Sequence, residues 1–340
     1  MNAPRPRLDP AVAETRRAVR GLLAQARQDG IVHDGDLVTV ALSGGADSLA
    51  LAAATAFEAP KQALRAGAVV VDHALQAGSE AVAIRASRQA SSLGLEPVTV
   101  RRVAVGSDGG PEAAAREARH AAVALVATAT GSPLVLFGHT LDDQAETVLL
   151  GLLRGSGPDA LSGMAPLVRR AEGPAYGRPL LAVRRHTTRQ ACVAAGLAPW
   201  DDPQNDDPAF TRVRVRNTLL PALERELGAG VPEALARTAD QLREDAAALD
   251  HFAEELAEDL AEHAEAGISL SVSGLLANPP ALRQRLVRLA VEGEFGVTLS
   301  RTQTLEVCRL VTDWRGQGPI DLPGVQAARE GDRLAFSAAP

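Results

Sequence analysis

Two short stretches gather the side chains of this 340-residue chain that could do chemistry. The first, Ser43-Gly44-Gly45-Ala46-Asp47-Ser48, sits between the apolar, β-branched segment 37–42 and a helical pattern over residues 47 to about 57. Such a turn suits an anion. Two glycines let the backbone turn tightly and approach a ligand, and the helix that follows offers unpaired N–H groups and a favourable dipole. Ser43 and Ser48 add hydroxyl donors. No GxxxxGK[ST] is present, so this is not the loop that grips a γ-phosphate with a lysine, and no GxSxG surrounds Ser43 to make a hydrolase elbow. Read alone, the turn could also be a Gly-rich strand-to-helix connection in which Asp47 caps the helix.

The second stretch is Gly138-His139-Thr140-Leu141-Asp142-Asp143-Gln144-Ala145-Glu146-Thr147. On a helix starting near Leu141, Asp143 and Glu146 lie three residues apart, hence on one face. With His139 at the end of the preceding strand, the two carboxylates could bind Mg²⁺, receive an ammonium group or act as a base. A plainer reading makes Thr140 and Asp143 a capping box, with Asp142 and Glu146 as solvated first-turn acids. Asp142 is assigned to that plainer role.

The elements that must position these groups are legible as a series. Strand-like apolar runs at 37–42, 66–71, 98–105 and 134–137 alternate with helical patterns at 47–57, 79–93, 111–128 and 141–153. Continuous apolar strands alternating with helices predict an α/β domain, a parallel sheet with helices on both faces. Ligands bind such sheets outside the carboxyl ends of the strands. Chemistry is therefore expected just after Leu42, Val71 and Phe137, where the Ser43–Ser48 turn, Asp72-His73 and Gly138-His139 stand. Beyond Arg154, glycines and prolines punctuate a long loop, followed by a short helix over 187–195 and the acidic, Pro-broken segment 200–208.

A domain boundary is placed near residue 217, giving domains 1–217 and 218–340. From Leu235, apolar residues recur at alternating four- and three-residue steps through Leu242, Leu249 and Leu256 to Leu260, which predicts a long helix with a narrow seam. That seam reads either as a homodimer contact or as one arm of a helical bundle. Further helices over 282–290 and 302–311 and a terminal hairpin within 319–336 complete a smaller, mainly helical C-terminal domain.

The complete SGGxDS turn on a strand–loop–helix resembles that of the PP-loop ATP pyrophosphatases, a Rossmann-like fold. The resemblance implies that Ser43, Gly44, Gly45, Ala46 and Ser48 bind the β- and γ-phosphates of ATP, while Asp47 positions Mg²⁺. Within that class, residues 139–147 resemble the HxxDDxxET motif of the tRNA-lysidine synthases. Glu112-Ala113-Ala114-Ala115-Arg116-Glu117-Ala118-Arg119-His120 resembles their EAAARxxRY helix, with His120 where Tyr is usual. The segments 154–164 (Arg-Gly-Ser-Gly onward) and Arg178-Pro179-Leu180-Leu181 resemble their RGSGxxGLxGM and RPLL. Residues 202–205 and 210–216 resemble EDPSN and YxRNxIR, with Arg212 and Arg216 in place and Asp202, Gln204, Phe210 and Val213 departing from the pattern.

What this implies is an ATP-dependent ligase that adenylates the wobble cytidine of tRNA(Ile) with a CAU anticodon and joins L-lysine to its C2. Asp47, His139, Asp143, Glu146, Arg116, Arg119 and Arg212 would be catalytic, and the C-terminal domain would bind tRNA. A tRNA thiolase and a non-catalytic nucleotide-binding module are the alternatives. Thiolation is disfavoured, because the only two cysteines, Cys192 and Cys308, stand far apart in sequence.

Composition fits these expectations. Hydrophobic residues make up 46% of the chain but aromatics only 3%, as a helix-rich α/β protein allows. The two cysteines exclude a disulfide scaffold and a zinc ribbon. A net charge of −7 argues against a non-specific nucleic-acid binder, yet arginines crowd residues 169–189, a locally basic surface compatible with one folded RNA. No secretory leader or membrane span is read, so the expected compartment is the cytoplasm.

Overall fold

The structure, a computed structural model, describes residues 8–72, 78–103, 111–155, 157–264 and 267–339, apart from the side chains of 111–116, 159 and 264. It divides into two compact units, Met1–Asp240 and Gln241–Pro340.

The first unit opens with α1 (Pro10–Gln28), capped by Asp9 with Pro10 in its first turn. There follow β1 (Leu37–Leu42), α2 (Ala46–Glu58), β2 (Arg65–Asp72), α3 (Ser79–Ser92), β3 (Val98–Arg102), α4 (Pro111–Ala129), β4 (Leu134–Leu136) and α5 (Leu141–Leu153). Shorter pieces come next: α6 (Pro158–Leu161), β5 (Leu167–Val168), β6 (Ala175–Gly177), α7 (Arg185–Ala194), α8 (Thr211–Arg214) and α9 (Leu220–Leu227). The strands form one sheet in the order β3-β2-β1-β4-β6-β5, parallel except for β5 against β6.

Alternation along each strand sends side chains to opposite faces. Val38, Val40, Leu42, Ala68, Val70, Leu134 and Leu136 join buried residues of α1, α2, α3 and α7 on one side. Val69, Val135 and Phe137 meet Val123, Val126 and Ala127 of α4 on the other. This is the α/β layering that the apolar runs predict. Burial of fully enclosed Leu49 and Leu51 is worth about 2 kcal/mol each in this core.

The first unit continues past residue 217. Leu220, with half-buried Val231 and Leu235, clusters with Ala145 and Val215, so this segment belongs to the first core. The division falls inside α10 (Val231–Leu260), the long helix that the seam predicts.

The second unit holds β7 (Ala261–Ala264), β8 (Gly267–Ser271), α11 (Val272–Ala277), α12 (Pro280–Phe295), α13 (Arg301–Thr312), β9 (Ile320–Leu322), β10 (Val325–Glu330) and β11 (Arg333–Ala338). The expected hairpin is β10–β11, but it lies within a five-stranded sheet, β7-β8-β11-β10-β9, so the unit is less purely helical than its sequence suggests. Its core joins Leu270, Leu286, Leu310, Val325 and Phe336 with Ala253 and Leu256 of the seam.

Candidate active site

At the carboxyl edge of the parallel strands lies a cleft of about 600 Å³. Ser43, Gly45, Ala46, Asp47, Ser48, Arg119, His139 and Asp143 line it, together with Val71 and Asp72 at the end of β2. Eight of the residues singled out from sequence thus meet around one space. Gly44, Glu146 and Arg212 are not among its lining residues. The side chain of Arg116, His73 and Ser156 fall outside the described residues.

The loop between β1 and α2 is held open by its own hydrogen bonds. The Ser48 hydroxyl donates to the Gly45 carbonyl at 3.0 Å, and the Ser43 and Ser48 hydroxyls lie 3.0 Å apart. Gly44 has φ +85°, in the left-handed region that side chains disfavour, and its carbonyl accepts from the Trp200 amide at 2.9 Å. No side chain caps α2 at Gly45, so its first-turn amides keep their donor capacity toward the cleft. At Gly138 any Cβ would come within about 3.0 Å of the Asp47–Ser48 backbone, so glycine is what lets the end of β4 lie against this loop.

Asp143 does form the capping box with Thr140, accepting from its amide at 2.8 Å and its hydroxyl at 2.9 Å. The plainer reading and the functional one therefore both describe this residue: Oδ2 caps the helix, while Oδ1 accepts from Nη2 of Arg185 at 2.6 Å. Glu146 is 0% exposed and held by Arg216, Nε at 2.7 Å and Nη2 at 3.0 Å, and by Nη1 of Arg185 at 3.3 Å. It is not a solvated first-turn acid. Nor is Asp142, whose carboxylate accepts from the Arg185 backbone amide at 2.7 Å and lies 3.5 Å from Nε of Arg184. The solvated role assigned to Asp142 is corrected by this contact: the residue anchors the start of α7.

Asp47 accepts from the Thr188 hydroxyl, and its other oxygen lies 3.5 Å from Nε of Arg185. Burial pushes the Asp47 carboxyl above its ordinary value, against the pull of Thr188 and Arg185. For Asp143 burial pushes the same way, but Arg185, His139, the Thr140 amide and Arg216 outweigh it and hold the carboxyl low. Asp143 is thus ionised at neutral pH. Burial opposes the charge of Arg185, but Asp143, Glu146, Asp47 and Asp142 together raise its guanidinium above its ordinary value.

Arg212 reaches Thr147 at 3.3 Å and Glu146 at 3.9 Å, whereas Arg216, within a single π-helical turn at Val215–Leu219, lines the cleft. Such turns recur at functional sites. His120 packs against Phe137 (ring centroids 4.8 Å) and Tyr176 (5.6 Å), and Phe137 in turn stacks on His139 at 5.9 Å. Arg185 and Thr188 escaped the sequence reading as site residues. The only hint was the density of arginines over 169–189. Among the described residues no three His, Cys, Asp or Glu side chains gather closely enough to hold a metal unaided.

Residues 16–223 match the PP-loop domain and residues 270–335 the TilS substrate binding domain. The tRNA(Ile)-lysidine synthase of Leifsonia xyli subsp. xyli is 60% identical over 303 residues, covering 89% of this chain and 90% of that protein. The chain belongs to the tRNA(Ile)-lysidine synthase family. Its Streptomyces coelicolor counterpart is 53% identical over 88% of this chain and 85% of its own length. Among solved structures, the U34-tRNA thiolase NcsA from Methanococcus maripaludis aligns with TM-score 0.56 at 18% identity, over 69% of this chain and 80% of that one. That likeness concerns the fold. In a lysidine synthase with this cleft, ATP use follows from the PP-loop domain, and the Ser43–Ser48 turn, Asp47 and Asp143 lie together where such sheets bind ligands. No helix among the described residues is long and apolar enough to cross a membrane.

Proposed function

We infer that this chain forms lysidine at the wobble position of tRNA(Ile) at the expense of ATP. The observation that carries the reading is that an uncapped helix start, the half-buried carboxylate of Asp47 and the carboxylate of Asp143 share one cleft. In this proposal the first-turn amides of α2 with Ser43 and Ser48 hold the β- and γ-phosphates. The wobble cytidine of the CAU anticodon enters with O2 toward the α-phosphorus. An O–P bond forms, the bond to the β-phosphate bridging oxygen breaks, and pyrophosphate leaves. Arg216 on the wall, with Arg119 also lining the cleft, supplies positive charge where negative charge develops.

Mg²⁺ fits this donor set. Such an ion is usually held by one or two carboxylates with phosphate oxygens and water, and Asp47 is the carboxylate beside the phosphate loop. When bound, the ion would neutralise charge on the departing pyrophosphate.

In the second displacement the ε-amine of free L-lysine attacks C2 and AMP departs with the O2 oxygen. Asp143 is suited to hold the incoming ammonium. It is poorly suited to deprotonate it, because ordinary Asp and Lys values lie about 6.5 units apart, roughly 9 kcal/mol uphill, and Asp143 is held lower still. Asp143 is an anchor in this scheme, and the ε-amine reacts as the free base drawn from its equilibrium with bulk solvent, about 3.4 units or about 5 kcal/mol uphill at pH 7.

The test combines purified protein, ATP, Mg²⁺, labelled lysine and unmodified tRNA transcripts. Label is expected on the CAU isoleucine transcript alone, with AMP released. Asp47→Ala is expected to abolish AMP formation, and near-normal turnover of that variant would refute the loop assignment.

A further inference from the structure

The first turn of α7 is built against the ordinary rule for helices. Arg184 is its N-cap, Arg185 and His186 follow, and no acidic residue stands in that turn. Cations there oppose the helix dipole, which favours negative charge at this end. Compensation comes from outside the helix. Asp142 accepts the Arg185 amide, and each nitrogen of its guanidinium faces a carboxylate on another element: Nε toward Asp47 on α2 at 3.5 Å, Nη2 to Asp143 at 2.6 Å, Nη1 to Glu146 at 3.3 Å. Thr188, one turn on, takes the second oxygen of Asp47. A planar fork spreads its donors over three nitrogens and so spans three such acceptors, whereas a lysine ammonium gathers its three donors on one nitrogen. The Arg185 side chain also lines the cleft, whereas Glu146 is sealed behind it.

We propose that Arg185 is a positioning residue that fixes the phosphate-end carboxylate Asp47 and the amine-end carboxylate Asp143 at one spacing, so that both displacements occur on a single bound base. The inference rests on the lysidine reading above. Without the guanidinium, Asp47 and Asp143 repel across the cleft and Asp143 no longer presents the amine to C2. Activation of the base continues slowly, and water then intercepts it: attack of water at C2 expels AMP and returns cytidine.

The experiment compares wild type, Arg185→Ala and Arg185→Lys for pyrophosphate released, lysine incorporated, KM for ATP and thermal stability. Wild type is expected to incorporate one lysine per pyrophosphate. Arg185→Ala is expected to lose about 100-fold in kcat for lysine incorporation, the usual cost of misplacing a reacting group by about 1 Å. Its KM for ATP should change less than its kcat for lysine incorporation, because the first-turn amides of α2 remain, and its pyrophosphate-to-lysine ratio should rise above one. Added methylguanidinium should restore coupling to the Ala variant but not to Arg185→Lys. An Ala variant with wild-type turnover and ratio would overturn the proposal. So would a loss that leaves the ratio at one, follows a lowered Tm and resists methylguanidinium. Failure of wild type itself to incorporate lysine would instead overturn the functional reading, whatever the variants do.

Discussion

Glu146 shows how a buried charge organises this cleft without lining it. Three arginines, 185, 212 and 216, converge on one carboxylate that water does not reach. Removing a single partner of such a cluster leaves uncompensated charge in the interior and typically costs about 3–5 kcal/mol. Glu146→Ala is therefore expected to lower Tm by about 8 °C or more, measured by circular dichroism, together with loss of turnover; a Tm within a degree of wild type would deny the cluster its structural part. The two thiols make a second case. Burial, with the Asp47 charge added, pushes Cys192 up to about 11, and burial pushes Cys308 to about 11 against Arg283 and Arg288. Both are buried. A thiolate is the reactive form, so the native protein should remain unmodified by a disulfide-exchange reagent at pH 8, with two thiols reacting once it is denatured. Rapid modification of Cys192 in the native state would show that the helix pair around it opens.

Between β1 and α2 the chain has little freedom. An alanine at Gly44 must hold a left-handed backbone, at about 1–2 kcal/mol, with its Cβ 3.3 Å from that of Ala86. Gly44→Ala is expected to raise KM for ATP about tenfold, near 1.4 kcal/mol of lost binding, with the fold intact by circular dichroism. An unchanged KM would mean that the loop tolerates another path. This turn was readable from sequence because the glycines, the hydroxyls and the flanking apolar runs all state the same local requirement. Likewise β1 and α5 have the bounds that their patterns predict. Other elements left weaker traces. The helix α1 hides behind a Pro/Arg-rich start, although Asp9-Pro10 and buried Thr15, Val19, Leu22 and Ala26 mark it in retrospect. The strands β5 and β6, two and three residues long, are too short for any period to register. Arg185 could not be chosen from its neighbours, because its partners Asp47, Asp143 and Glu146 come from other elements and meet it only in the folded sheet.

Each unit has its own core, and the proposed chemistry belongs to the first. A ligand that binds only the folded first unit stabilises it by mass action, about 2.7 kcal/mol at a hundredfold excess over Kd. Hydrogen exchange in the presence of Mg²⁺ and pyrophosphate should therefore slow at residues 43–51 and 185–189 and stay unchanged over 267–339. Equal slowing in both regions would show that the two cores respond as one.

The two tryptophans divide between these units: Trp200 at the cleft, with its amide on the Gly44 carbonyl, and Trp314 in the second unit, with the Arg329 guanidinium 5.5 Å above its ring. Intrinsic fluorescence is thus already sorted by location. Replacing Trp314 by phenylalanine would leave one indole beside the β1–α2 turn, and its emission should then report any ligand that binds there in real time without an attached dye.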